Sequence, residues 1–215
     1  MKTPQEWLHE FNLQVNNIAS NKAPGYEPYE ISVFLTRAEE AVVIGLYSGT
    51  LGLDSFESTE AITSYLDSLV KQDTVLTEET GKIFPQSHVF ALSDDVLFRT
   101  LEVCSITGDC GTVDAEVIPV TQDQLLRMVR NPFRRPNGRR VLRLSYSTSS
   151  EDSGLEQTRY SEIISDSSVT VNSYTVRYLK RPEPIIVADL PTGYKINGEN
   201  TAQTCLLPES IHPLI

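Results

Sequence analysis

Cysteine between glycines, an acid in a small-residue triplet, and histidine are the residues of this chain whose types could carry catalysis. Gly108-Asp-Cys-Gly111 has the pattern of a loop that presents a thiolate nucleophile. Such a nucleophile needs a histidine base and an orienting acid, both placed ahead of the cysteine in a double β-barrel. His88 stands only 22 positions before Cys110, too few for two barrels, and the front of the chain reads as helical. The string is a turn on this reading. Asp152-Ser-Gly154 matches the triplet that supplies one carboxylate of a catalytic dyad, but its neighbours are polar where a dyad needs apolar burial. It too reads as a turn. His9, His88 and His212 lack ligand-like spacing, and the chain has no GxxxxGKS/T, GxGxxG, HExxH or GxSxG string. No catalytic, metal or cofactor residues are expected, and the chain reads as a non-enzyme.

Charge is the stronger signal. Arg127, Arg130, Arg134, Arg135, Arg139, Arg140 and Arg143 fall within seventeen positions that contain no acid. The whole chain has 18 Lys+Arg against 29 Asp+Glu; outside that stretch the balance is 11 against 29, a net of −18. Like charges this close repel unless something offsets them. Three partners fit: carboxylates of the same chain, an acidic neighbouring subunit, or phosphate. Of the cluster, Arg130, Arg134, Arg135, Arg139 and Arg140 are the expected partner-interface residues. The aromatic residues Tyr160, Tyr174 and Tyr178 read as strand packing rather than a base-stacking platform.

The whole-chain bounds agree with a structural role. At 215 residues and 40% hydrophobic, the chain can bury a core as one domain or two small ones. A net charge of −11 argues against a general nucleic-acid binder, which would be basic over a broad surface. Cys104, Cys110 and Cys205 are odd in number with no CxxC pairing, which suits a reduced setting. No apolar run approaches about 18 residues, so no membrane span is expected. The first residues lack the apolar core of a secretory signal.

The elements that must position the arginines can be placed. Thr3 caps a helix with Pro4 at its first position, and Trp7, Phe11, Val15 and Ile18 form its apolar stripe. A second helix spans residues 28–46, with Ile31, Phe34, Leu35, Ala38, Ala41, Val42 and Gly45 inward and Arg37, Glu39 and Glu40 opposite. A third spans residues 60–71, followed by a polar surface segment to residue 86. The period then changes to two. Strands are expected at 88–91 and 98–106, paired as a hairpin about Ser93-Asp-Asp95, then at 115–120, 139–146, 160–164, 169–180 and 185–188. Thr121-Gln-Asp-Gln124 predicts a capping box for a helix over 122–130, stopped at Asn131-Pro132. Pro136-Asn-Gly138 predicts a turn using positive φ, and residues 147–158 a polar loop. Leu207-Pro-Glu-Ser looks like the entry to a C-terminal helix, cut off at Ile215. The arginines thus lie on a helix end, a tight loop and a strand start.

Several passages, in order, resemble virion proteins of crAss-like tailed bacteriophages. They are residues 23–41 (beginning Ala-Pro-Gly-Tyr-Glu-Pro-Tyr), Val117-Ile-Pro-Val-Thr121, Asn131-Pro-Phe-Arg-Arg-Pro136, residues 176–187 and residues 207–215. The last is similar to the start of the C-terminal helix of head–tail adaptor proteins, where that helix runs on for many residues. The resemblance implies a collar ring protein of short-tailed phages: a closed ring of self-copies, a dodecamer, linking head to tail. Its implied partners are the portal and adjacent tail or ring proteins. Genomic DNA would pass through the channel without specific binding, and no membrane is involved. The implied location is the virion tail or collar, assembled in the host bacterial cytoplasm. A nucleic-acid-binding module using the arginine cluster, and another capsid or tail-hub protein, are the alternatives.

The expected fold class is α+β: N-terminal helices, a mostly antiparallel sheet and a C-terminal helix start. Residues 1–82 are expected to be mainly helical and 83–215 β-rich with the 122–130 helix embedded, unless the whole is one integrated domain.

Overall fold

The computed structural model describes residues 2–18, 25–50, 60–76, 84, 87–108, 111–149 and 157–215. Asp109 and Cys110, and the Asp152-Ser-Gly154 triplet, lie outside them. The chain forms two compact units: Met1–Leu69 with Arg181–Ile215, and Val70–Lys180. No described helix is long and apolar enough to cross a membrane.

The first unit holds helices α1 (Pro4–Ile18), α2 (Pro28–Ser48) and α3 (Glu60–Leu66). At the head of α1, Thr3 Oγ1 accepts from the Glu6 N–H at 3.3 Å and Glu6 returns a carboxylate to the Thr3 N–H at 2.7 Å. This reciprocal cap satisfies two of the N–H groups that a helix start leaves free. Helix α2 closes on Gly49, whose φ of 72° lets its N–H reach back to the Gly45 carbonyl.

Helix α2 is buried on two sides. Ile31, Leu35 and Val42 are core residues, as their spacing implied, but Phe34 and Ala41 are exposed. The second buried side is a polar stripe, Ser32, Thr36 and Glu39, at i, i+4 and i+7. Ser32 Oγ accepts from the Val187 N–H and Thr36 Oγ1 from the Ile185 N–H, each at 3.1 Å. The Cys205 thiol donates to Glu39 Oε1 at 3.0 Å. Glu39 therefore faces the core and not solvent, because the returning C-terminal segment covers it. That segment has little regular structure. The strand expected at 185–188 is a single bridge, Ile186 to Gln203, and the expected C-terminal helix entry is a 3-10 turn, His212–Leu214.

The second unit is a seven-stranded sheet: β1 (Val70–Val75), β2 (Ser87–Leu92), β3 (Val96–Gly108), β4 (Gly111–Val120), β5 (Arg140–Ser149), β6 (Gln157–Ile164) and β7 (Thr170–Lys180). Their order is β1-β7-β3-β4-β5-β6-β2. All pairs are antiparallel except β4 with β5, whose parallel connection runs through helix α4 (Gln122–Arg130). The sheet curls until its edge strands β1 and β2 approach each other. One interior cluster accordingly draws on every strand, with Val75, Phe90, Cys104, Val117, Val141, Ile163 and Tyr174 among its members. The fold is α+β, as expected. Tyr174, Val176 and Tyr178 are interior packing residues.

Two pairings differ from the sequence reading. β2 does not form a hairpin with β3; it pairs with β6, while β3 pairs with β4 and β7. Adjacency in sequence favoured the hairpin, whereas closure of the sheet uses β2 as its far edge. Strand β1 stands where a helix end and a surface segment were expected. The helix stops at Leu66, a 3-10 turn follows over Asp67–Leu69, and β1 pairs with β7 from Val70↔Leu179 to Val75↔Tyr174. Its central residues are exposed and polar, so no apolar alternation marks it. Cys104 and Cys205 are free and buried, and burial lifts the Cys104 thiol to about 12.

Burial raises the Glu39 carboxyl from 4.5 to about 7; Glu40 and Glu183 add repulsion, and the Cys205 thiol opposes the shift. The folded state therefore favours the protonated acid. That stability is complete below about 4.5 and is lost as pH rises through about 7. The loss should be on the order of 3 kcal/mol. Glu39→Gln should flatten the pH dependence of the urea midpoint across this window and raise the midpoint above neutrality. A variant midpoint that falls as steeply as the native one would contradict this assignment.

Candidate partner-binding surface

Helix α4 and strand β5 carry the arginines because both are pinned by apolar residues. Leu125, with Met128 and Val129 beside it, packs on Val120, Leu142, Leu144 and Ile164 on the outer face of the sheet. Along β5, Leu142 and Leu144 lie under α4 while Val141 enters the interior cluster. The alternation expected for this strand is present, and both of its faces are buried.

Helix α4 ends at Asn131, whose extended backbone (φ −84°, ψ 118°) is what a following proline imposes. Asn131 then organises the loop. Its Oδ1 accepts from the Phe133 N–H at 3.0 Å, and its carbonyl accepts from Arg134 and Arg135 N–H at 3.1 and 2.9 Å. Pro136 is buried. The turn at 137–140 is closed by paired backbone bonds between Asn137 and Arg140, and Asn137 Oδ1 accepts from the Arg139 N–H at 2.9 Å. Neither Asn137 nor Gly138 has positive φ. The turn forms where expected, but the Asn137 side chain rather than a left-handed backbone makes it. Nor is the Thr121 capping box formed: its hydroxyl donates to Asp123 Oδ1 at 2.5 Å. The helix start relies on the Thr121 carbonyl, which accepts from Gln124 and Leu125 N–H.

The seven arginines divide into two environments. Arg143 points into the sheet interior with Val141. Its Nε lies 3.0 Å from Glu102 Oε1, and Arg99 Nε lies 3.7 Å from the same oxygen. The Tyr174 hydroxyl donates to that carboxylate. Burial raises the Glu102 carboxyl, while the Tyr174 bond and the Arg99 charge oppose it. Arg140, half-buried, donates from Nη1 to the Phe133 carbonyl at 3.2 Å and so braces the loop. Arg127, Arg130, Arg134, Arg135 and Arg139 are exposed, and among the described residues none has an ion-pair partner. Arg127 and Arg130 sit in the last turn of α4, where the helix dipole favours cations.

Phe133 stands among these cations at 89% exposure, and Leu126 on α4 is also exposed. The sequence does not show that Phe133 points outward. A phenylalanine held between Pro132 and Pro136, with no apolar partner at strand or helix spacing, was the available signal. The histidines have ordinary settings. His9 is exposed on α1, and His88 lies on β2. His212 is buried against Trp7, with ring centroids 5.0 Å apart, and its Nε2 meets the Leu207 carbonyl at 3.0 Å.

The cationic loop is the candidate partner surface of this chain. The model of the phage tail ring protein 3/4 family matches residues 1–215. Ring protein 3 of Bacteroides phage crAss001 is 36% identical, over 99% of this chain and 91% of that protein. Ring protein 4/5 of the same phage is 29% identical, over 96% of this chain and 86% of that protein. The chain belongs to the phage tail ring protein 3/4 family of crAss-like phages, a class of structural virion components.

The two arginine environments make opposite demands on stability. Arg143→Ala strands Glu102 beside a buried wall and should lower stability by about 3 kcal/mol. Arg134→Ala, exposed and with no ion-pair partner among the described residues, should shift it by less than about 0.5 kcal/mol. Denaturant melts of the two variants check the contrast, and equal losses would contradict it.

Proposed function

We propose that this chain forms a closed ring, a dodecamer, in the connector that joins portal to tail around the DNA channel. The exposed arginines Arg130, Arg134, Arg135 and Arg139, on the loop that Arg140 braces, contact an acidic surface of a neighbouring subunit. The observation that carries this reading is the set of exposed arginines without an ion-pair partner among the described residues, on a chain of net charge −11 whose whole length matches a tail ring family. A closed ring needs two unlike faces on each subunit that meet heterologously, and a cationic loop on an acidic body supplies them. Net negative charge also suits a channel through which DNA slides without sticking. Assembly would take place in the host cytoplasm, with the portal and adjacent tail proteins as partners and no enzymatic step.

The same exposed arginines fit phosphate, which keeps duplex DNA as the second reading. Light scattering on the purified chain, alone and with its cognate portal, separates the two. A closed ring, or a monomer that assembles on the portal, is expected. Arg134→Glu with Arg135→Glu should abolish assembly while leaving the melting temperature within a few degrees of native. Normal rings from that double variant would sink the interface, and a monomer indifferent to the portal that binds duplex DNA in a salt-dependent way would favour the second reading.

A further inference from the structure

The described residues of the first unit include a partly exposed aromatic cluster. Phe11 of α1, Tyr26 and Phe34 of α2 touch one another: Phe11 and Phe34 are stacked at 6.3 Å, and Tyr26 meets each edge-on at 5.9 Å. Phe34 is 49% exposed and Tyr26 45%. Beside them runs a groove lined by Trp7, Glu10, Phe11, Phe34, Leu35 and His212. Rings set at right angles expose both faces and edges. Such a cluster receives another aromatic ring or stacks a guanidinium.

The charges around this cluster are those the arginine loop lacks. Glu30 lies one turn before Phe34 on α2, and Glu27 precedes the helix; both are exposed. They cap the start of α2 reciprocally, each side chain accepting from the other's backbone N–H (Glu27 N–H to Glu30 Oε2 at 3.0 Å), and no ion pair is recorded for either among the described residues. Glu6 and Glu10 lie on α1 one turn apart. The nearest cation on α1's side, Lys2, is taken up by Glu10 and by the Trp7 ring, 4.8 Å below its ammonium. Over the whole first unit there are 5 Lys+Arg against 14 Asp+Glu, a net of −9. The second unit has 13 against 15, a net of −2. The two units carry nearly equal numbers of acids, but the net negative charge is concentrated in the first, which lacks the arginine loop.

We propose that Phe133 and its flanking arginines on one copy dock against the Phe11–Tyr26–Phe34 cluster of the next copy in the ring. This rests on the ring reading above and names the surface that receives the loop. Phe133 is the central anchor, and Arg130, Arg134 and Arg135 stack on the rings or pair with Glu27 and Glu30 at the rim. An aromatic anchor inside a ring of charged contacts is the usual composition of an interface hot spot. The two patches are unlike and complementary, as heterologous contact requires.

The test is a photo-crosslinkable phenylalanine analogue in place of Phe133 in the full chain, irradiated in the assembled state and mapped by mass spectrometry. A covalent dimer joined through residues 11–34 is expected. Rings that form but crosslink elsewhere on the neighbour overturn this docking and leave the ring reading standing. A chain that stays monomeric with and without portal overturns both. A charge swap gives a second readout. Glu27→Arg with Glu30→Arg should restore assembly to the Arg134→Glu, Arg135→Glu chain, and Phe34→Ser alone should weaken assembly at least tenfold without lowering the melting temperature. Failure of the swap to restore any assembly, with both chains folded, counts against the pairing.

Discussion

Strand β5 is buried on both faces, and the position of the arginine loop follows from that constraint. Val141 and Arg143 face the interior of the curled sheet, while Leu142 and Leu144 lie beneath α4. Because side chains alternate, a slip of one residue would put Arg143 under the apolar helix and leave Glu102 facing a leucine. Both errors are costly, so the register is fixed. The loop between α4 and β5 is then short, anchored at each end, and braced across its middle by Arg140. Its geometry is set by packing that lies on either side of it.

The cations of this segment show how one residue type divides by environment. Arg143 joins Arg99 and Tyr174 around a single part-buried carboxylate, where each partner offsets the cost of removing the others from water. Arg127, Arg130, Arg134, Arg135 and Arg139 keep their hydration and meet no described acid. Intrachain pairing and an external partner had been alternatives for the cluster as a whole. The strand arginine is internal to the fold, whereas the helix and loop arginines are exposed.

Much of this was legible in the sequence. Periodicity gave α2 and the alternation of β5 and β7; α4 was placed by a capping-box string whose bonds do not form, though the helix does, and Asn131-Pro132 marked where it stops. What escaped was nonlocal. β1 is a polar edge whose partner, β7, lies a hundred residues away, so nothing within its own six residues announces it. The pairing of β2 with β6 depends on closure of the whole sheet. Glu39 looked solvent-facing because the segment that buries it comes at the end of the chain. The i, i+4, i+7 stripe of Ser32, Thr36 and Glu39 was present to be read, but polar stripes ordinarily mean solvent. The arginine cluster was visible by charge alone, whereas the outward Phe133 needed coordinates.

The polar stripe of α2 also bears on synthesis. Thr36 and Ser32 bond to residues 149 and 155 positions later in the chain. At ordinary elongation rates, roughly 10 to 30 seconds separate the emergence of α2 from that of its partners. In that interval the whole of the intervening sheet, whose pairings are internal to residues 70–180, has left the ribosome. The sheet can therefore mature first, while the N-terminal helices wait with their polar groups in water. The helical unit, first to be translated, is the last to be completed.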